Sequence, residues 1–110
     1  MNPHQRLDQV LRELEATLKA ADLWRVEQPS AKALASQQPF CVDSMELPQW
    51  LRYVFVARLD ALIEAQAPLP ASCSVAPAAE VYLRQAAVPA HHLLLVVKAI
   101  ERVDLVVTES

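Results

Sequence analysis

The sequence predicts an all-α fold, a four-helix bundle with a long ordered loop between the first and second helices. Three observations point there. Apolar residues recur at helical spacing over several long runs. The 110 residues include no glycine, and the only asparagine is Asn2. Two-residue hairpins, which want Asn-Gly, Asp-Gly or Gly-X, therefore have no material. The eight prolines cluster near the ends of the apolar runs, where helices start and stop. With 54% of residues apolar, residues 1–110 read as one domain. A chain of this length buries roughly 65% of the surface its unfolded form exposes.

The first helix is expected over residues 3–22. Asn2 is its N-cap, Pro3 its first residue, and Gln5 stands three residues after the cap. Leu7, Leu11, Leu14 and Leu18 make its apolar stripe, widened by Val10. Residues 25–43 lose the period and hold Pro29, Ser30, Ser36 and Pro39. They read as an ordered loop, anchored by Trp24, Phe40 and Val42, with a short helix around Ser30 to Ala35 as the alternative. Loops this long are more often functional than short ones.

A second helix is expected over 44–66. Asp43-Ser44-Met45-Glu46 has capping-box spacing, and Pro48 is tolerated in a first turn. Leu47, Leu51, Val54, Arg58 and Leu62 follow the helical period, with Phe55, Leu59 and Ile63 beside them. That spacing places Arg58 inside the apolar stripe. A buried guanidinium needs an acceptor, so an ion pair with Asp43, Glu46 or Glu80 is expected, and an anion-binding arginine is the alternative. Pro68-Leu69-Pro70 closes this helix. Ser74 is expected to cap a third helix over 75–87, and Pro89 to open a fourth over 89–107. Leu93 to Val97 alone would suit a strand. Lys98, Glu101 and Arg102 fall on one helical face opposite Val96, Val97, Ile100, Val103 and Val107, which favours helix.

Without glycine the chain has no P-loop, no dinucleotide-binding turn and no GxSxG elbow. Ten Lys and Arg against thirteen Asp and Glu give a formal charge of −3, with the cations dispersed. Tight nucleic-acid binding by the isolated domain is therefore not expected. The longest aliphatic run is far too short to span a bilayer and no apolar leader opens the chain, so a cytoplasmic location is expected, away from membranes. His91-His92 with Cys41 and Cys73 match no zinc spacing, and adjacent histidines on a helix point roughly 100° apart. Neither a metal nor a cofactor is expected. A cysteine nucleophile at Cys41 has no base at a set geometry, and both cysteines read as reduced, half-buried residues.

The residues Trp24-Arg25, Pro29, Ser36-Gln37-Gln38-Pro39-Phe40, Asp43-Ser44-Met45-Glu46, Trp50-Leu51, Arg58, Pro68-Leu69-Pro70, Ala76-Pro77 and Glu80 together resemble the YqcC-like family of small bacterial proteins. The run PF-xx-D-x-M-E-xxx-WL carries most of the resemblance. Ala57 and Leu59 depart from it, standing where the family commonly has Pro and Met. The resemblance implies a bacterial helical domain, linked to tRNA pseudouridine synthase C by genomic association. Candidate binding residues are Trp24, Phe40, Asp43, Met45, Glu46, Trp50, Arg58 and Glu80. The expected function is a non-enzymatic interaction module, binding a protein partner or itself through the 24–50 region. An accessory factor for tRNA pseudouridine modification is the second reading. A small enzyme using Asp43, Arg58 and Glu80 is the third, and an enzyme is the less favoured outcome.

Overall fold

A computed structural model describes residues 2–109. Its elements are α1 (Pro3–Ala20), α2 (Ala31–Leu34), a 3-10 turn (Pro39–Cys41), α3 (Leu47–Trp50), a π segment (Leu51–Val56), α4 (Ala57–Ala65), α5 (Ala76–Gln85) and α6 (Ala90–Glu109). The backbone stays helical from α3 through the π segment into α4, so these three form one rod. The fold is all-α, with five helices and no strand among the described residues. Leu93 to Val97 lie inside α6.

Helix α1 begins as its sequence requires. The Gln5 backbone N–H donates to Asn2 Oδ1 at 2.8 Å, and the Asn2 N–H donates to Gln5 Oε1 at 3.1 Å. Both are donors that a helix start leaves without intrahelical partners. Leu7, Leu11, Leu14 and Leu18 are buried and pack mainly on α6. Helix α4 lies against α1, and α5 against α6. The radius of gyration, 13.5 Å, is close to the ~13 Å expected for a compact chain of this length.

Three expectations are corrected. The short helix in the long loop forms at Ala31–Leu34, with the Ala33 N–H donating to Ser30 Oγ at 3.1 Å. The second long helix starts at Leu47, not Ser44. Asp43 and Ser44 use their side chains on the loop instead: Ser36 Oγ donates to Asp43, and Ser44 Oγ donates to the Ala33 carbonyl. Asp43 is therefore no helix cap. Arg58 is exposed, and no polar or charged residue is buried among those described.

The cause of the Arg58 error is the π segment. A π turn spends an extra residue on nearly the same rotation, so the residues after it are turned back by roughly 100°. The buried series runs Leu47, Leu51, Phe55, Val56, Leu59. Val54 is pushed to the flank, half-buried, and Arg58 into solvent.

The cap of α5 is also unexpected. Ser74 makes no capping bond. Asp104, from the C-terminal third of α6, reaches across and accepts from the Val75 N–H at 2.9 and 3.0 Å and from the Ala76 N–H at 2.9 Å. A carboxylate suits a helix N-terminus because it satisfies the free N–H groups and meets the positive end of the dipole. This contact ties the start of α5 to α6, beside the apolar packing the two helices share.

Candidate functional site: an apolar groove beside helix α5

The connection from α2 to α3 is the most constrained part of the backbone. Phe40 and Cys41 both sit at positive φ, 56° and 51°, in the left-handed region that costs a residue with a Cβ about 1–2 kcal/mol. Hydrogen bonds hold the turn: Cys41 N–H to the Gln38 carbonyl at 3.0 Å, Val42 to Pro39 at 3.1 Å, Met45 to Cys41 at 3.0 Å. The consequence is a reversal of side chains. Cys41 turns inward and is buried, while Val42 is left 71% exposed. Val42, expected to anchor the loop, is turned away from the core by this geometry.

Phe40 is set by aromatic packing. Its ring meets Trp50 edge-on, centroids 4.9 Å apart, and Trp50 stacks on Phe55 at 5.4 Å. Offset and edge-on arrangements are those that aromatic quadrupoles favour. Phe40, Val42, Met45, Glu46 and Leu47 form one wall of a groove of about 330 Å³, and Ala78, Val81, Tyr82 and Gln85 of α5 form the other. Val81 is 56% exposed.

Tyr82 and Glu46 join the two walls, with the Tyr82 hydroxyl donating to Glu46 Oε2 at 3.0 Å. Burial, and then this carboxylate, push the Tyr82 phenol up to about 12. On the far side of α5 lies a second hollow of about 370 Å³, lined in part by Cys73, Pro77, Glu80, Glu101, Asp104 and Leu105. There the Cys73 thiol donates to Asp104 Oδ1 at 3.0 Å. Burial first, and this hydrogen-bonded carboxylate second, push the thiol up to about 12. A thiol so held is a poor nucleophile.

Of the eight candidate residues, the fold brings Phe40, Met45, Glu46 and Trp50 together. Trp24 stands apart. The Arg52 guanidinium lies 4.6 Å from the Trp24 ring and donates to the Trp24 carbonyl at 2.7 Å. Together with the bond from Gln49 Nε2 to the Glu27 carbonyl at 2.9 Å, this fastens residues 24–27 to the α3 rod. Asp43, Arg58 and Glu80 line three different hollows, so the fold does not assemble them into one site. Among the described residues no three His, Cys, Asp or Glu side chains are placed to hold a metal.

Sequence reasoning missed Val42, Val81, Tyr82 and Asp104. A signal for two of them was present. Helix α5 buries Ala76, Ala79 and Leu83, yet Ala78, Val81, Tyr82 and Gln85 repeat at i, i+3, i+4, i+7 on a different face. A helix apolar on two faces has a second surface to cover.

Fold and groove together define a small all-α domain with an apolar groove along helix α5. The chain belongs to the family described as DUF446, tRNA pseudouridine synthase C, whose model matches residues 6–103. It is 37% identical over 83 residues to the uncharacterized protein YqcC of Escherichia coli, covering 76% of each chain. It is 34% identical over 77 residues to an uncharacterized protein of Haemophilus influenzae, covering 70% of this chain and 73% of that one. A protein of Pectobacterium carotovorum named tRNA pseudouridine synthase C is 33% identical over 72 residues, which are 66% of this chain and 19% of the relative. The solution NMR structure of Escherichia coli YqcC superposes with a TM-score of 0.83 at 31% identity, covering 99% of this chain and 91% of that one. No helix among the described residues is long and apolar enough to cross a membrane.

Proposed function

We propose that this domain is a non-enzymatic protein-interaction module and that the groove beside α5 is its binding surface. The observation that carries this reading is the pair of exposed valines, Val42 and Val81, lining one apolar groove. Neither is needed outside for the fold. A turn that accepts two strained residues and leaves Val42 in water is better explained by a partner than by packing. In this reading the four longer helices form a bundle whose task is to hold that turn against α5, and the domain works in the cytoplasm.

A second observation favours a particular setting. The Pectobacterium relative named tRNA pseudouridine synthase C matches this chain over 19% of its own length. A counterpart of this domain therefore occurs within a much longer chain that bears that name. Accessory service to tRNA pseudouridine modification, with the synthase itself as the partner in the groove, accords with such an arrangement.

The test is co-purification. Tagged wild-type domain and a Val42→Asp, Val81→Asp double variant are passed through nuclease-treated bacterial lysate under identical conditions. The expected result is a protein retained by the wild type and lost from the variant, whose far-UV CD and melting are unchanged. Identical retention by both would exclude the groove.

A further inference from the structure

Helix α5 lies between two hollows whose walls share one electrostatic character. Glu46 lines the first, and Glu80, Glu101 and Asp104 line the second; neither wall includes a Lys, Arg or His. Asp104 is committed to capping α5, and Glu80 pairs at the rim with Arg84 at 3.1 Å. Glu46 and Glu101 have no ion-pair partner among the described residues. Across this surface run three exposed apolar side chains: Val42 on one side, Val81 on α5 itself, and Leu105, 55% exposed, on the other. The result is a surface on which exposed apolar side chains and carboxylates lie side by side in both hollows.

Resting on the interaction reading above, we infer that the partner of this surface is a basic amphipathic helix of another protein, laid across α5 with its apolar side chains on Val42, Val81 and Leu105 and its Lys or Arg residues facing Glu46 and Glu101. Helix-in-groove recognition supplies the shape: apolar anchors at i, i+3, i+4 and i+7 fill hollows on either side of a ridge. Charge complementarity supplies the choice of occupant, because it selects among partners that bury similar apolar area. A second copy of this chain fits badly. A two-fold contact through α5 sets the same carboxylates of both copies near one another, between molecules that each carry −3.

The experiment uses the intact domain and three fourteen-residue helical peptides built from Leu with Lys, Leu with Gln, or Leu with Glu. Binding is followed by amide chemical shifts. Each exposed ion pair is worth about two- to fivefold in affinity. The Leu/Lys peptide is therefore expected to bind roughly tenfold more tightly than the Leu/Gln peptide, with shifts at Val42, Glu46, Val81 and Leu105. The Leu/Glu peptide should leave those amides unmoved. Glu46→Gln should narrow the preference by about two- to fivefold, and Val81→Asp, or Val81→Ser if that folds poorly, should remove binding. Equal binding of Leu/Lys and Leu/Gln at these amides overturns the basic partner while leaving the interaction module standing. Shifts only elsewhere, or none with any peptide, overturn both. A concentration-dependent dimer that Val81→Asp disperses gives the surface to a second copy and overturns the inference as well.

Discussion

Among the described residues, five occupy the left-handed region: Asp22, Phe40, Cys41, Gln66 and Ala87. Three of them close helices. After α1 the Leu23 N–H reaches the Leu18 carbonyl at 2.8 Å, after α4 Ala67 reaches Leu62 at 3.0 Å, and after α5 Val88 reaches Leu83 at 3.1 Å. These are Schellman closures, whose left-handed position usually falls to glycine. In a chain without glycine each one carries a steric cost. Ala87→Gly removes a penalty of about 1–2 kcal/mol and adds about 0.5–1 kcal/mol of unfolded-state entropy, for a net gain of about 0.5–1 kcal/mol. Urea denaturation should show the midpoint rising; a fall would mean that Ala87 is not strained. Cys73 and Tyr82 bear on alkaline stability. Their ordinary values are 9.0 and 10.0, and the fold raises both to about 12. As pH rises, the unfolded chain releases these protons before the folded one does, so stability falls with pH. It should be complete below about pH 9 and decline from there toward about pH 12. Melting curves across that range check it, and Cys73→Ala with Tyr82→Phe should flatten the decline.

At the scale of elements, the π segment and the Asp104 cap decide how helices meet. Because Leu51–Val56 winds as a π segment, Leu59 rather than Arg58 faces the core. Arg58→Ala should therefore change stability by no more than about 0.5 kcal/mol, as surface substitutions do. Leu59→Ala should cost about 2–5 kcal/mol, the usual loss for a buried leucine. Equal costs for the two would show that the register is misassigned. Asp104→Ala leaves the Val75 and Ala76 N–H groups without their acceptor. The expected cost is about 2–3 kcal/mol, combining a lost cap with partly buried orphan donors. Asp104→Asn keeps one acceptor oxygen and should recover part of it. Urea titration of both variants is the measurement, and a loss from Asp104→Ala no larger than from Ser74→Ala would return the cap to Ser74.

Taken as a whole, the molecule is acidic, and among the described residues Arg12, Lys19, Arg84 and Arg102 are held in ion pairs. Arg12 meets Asp60, joining α1 to α4, while Arg102 reaches Glu13 at 3.4 Å, joining α6 to α1. Both pairs are exposed and contribute little stability singly, but they leave fewer cations for phosphates. Lys19, Arg25 and Arg52 do gather near Trp24. Lys19 is paired with Glu15 at 3.0 Å and Arg52 is bonded to the Trp24 carbonyl, and Asp22 lines the same hollow. Titration against bulk tRNA at near-physiological salt should therefore give a dissociation constant weaker than about 1 µM, since few phosphates can be neutralised together. Sub-micromolar affinity with a steep salt dependence would move RNA contact to this domain itself.

Much of this was legible in the residues. Apolar spacing located all four long helices, Asn2 and Gln5 marked the start of α1, and the absence of glycine disfavoured hairpins. These are local properties, set within a turn or two of chain. The motif residues pointed to the family, and Phe40, Met45 and Glu46 came to line one wall of the groove, with Trp50 packed against Phe40. What the sequence could not reveal depends on partners distant in the chain. The π segment forms where a single extra residue lets both ends of one rod reach the core, so Arg58 cannot be placed by counting from Leu47. Asp104 caps a helix 28 residues before it, a pairing that only the docking of α5 on α6 creates. Val42 and Val81 line one groove because the strained turn at Phe40 and Cys41 lies across from α5. Local spacing determined which segments are helices; the contacts between them decided which side chains were buried and which were left exposed.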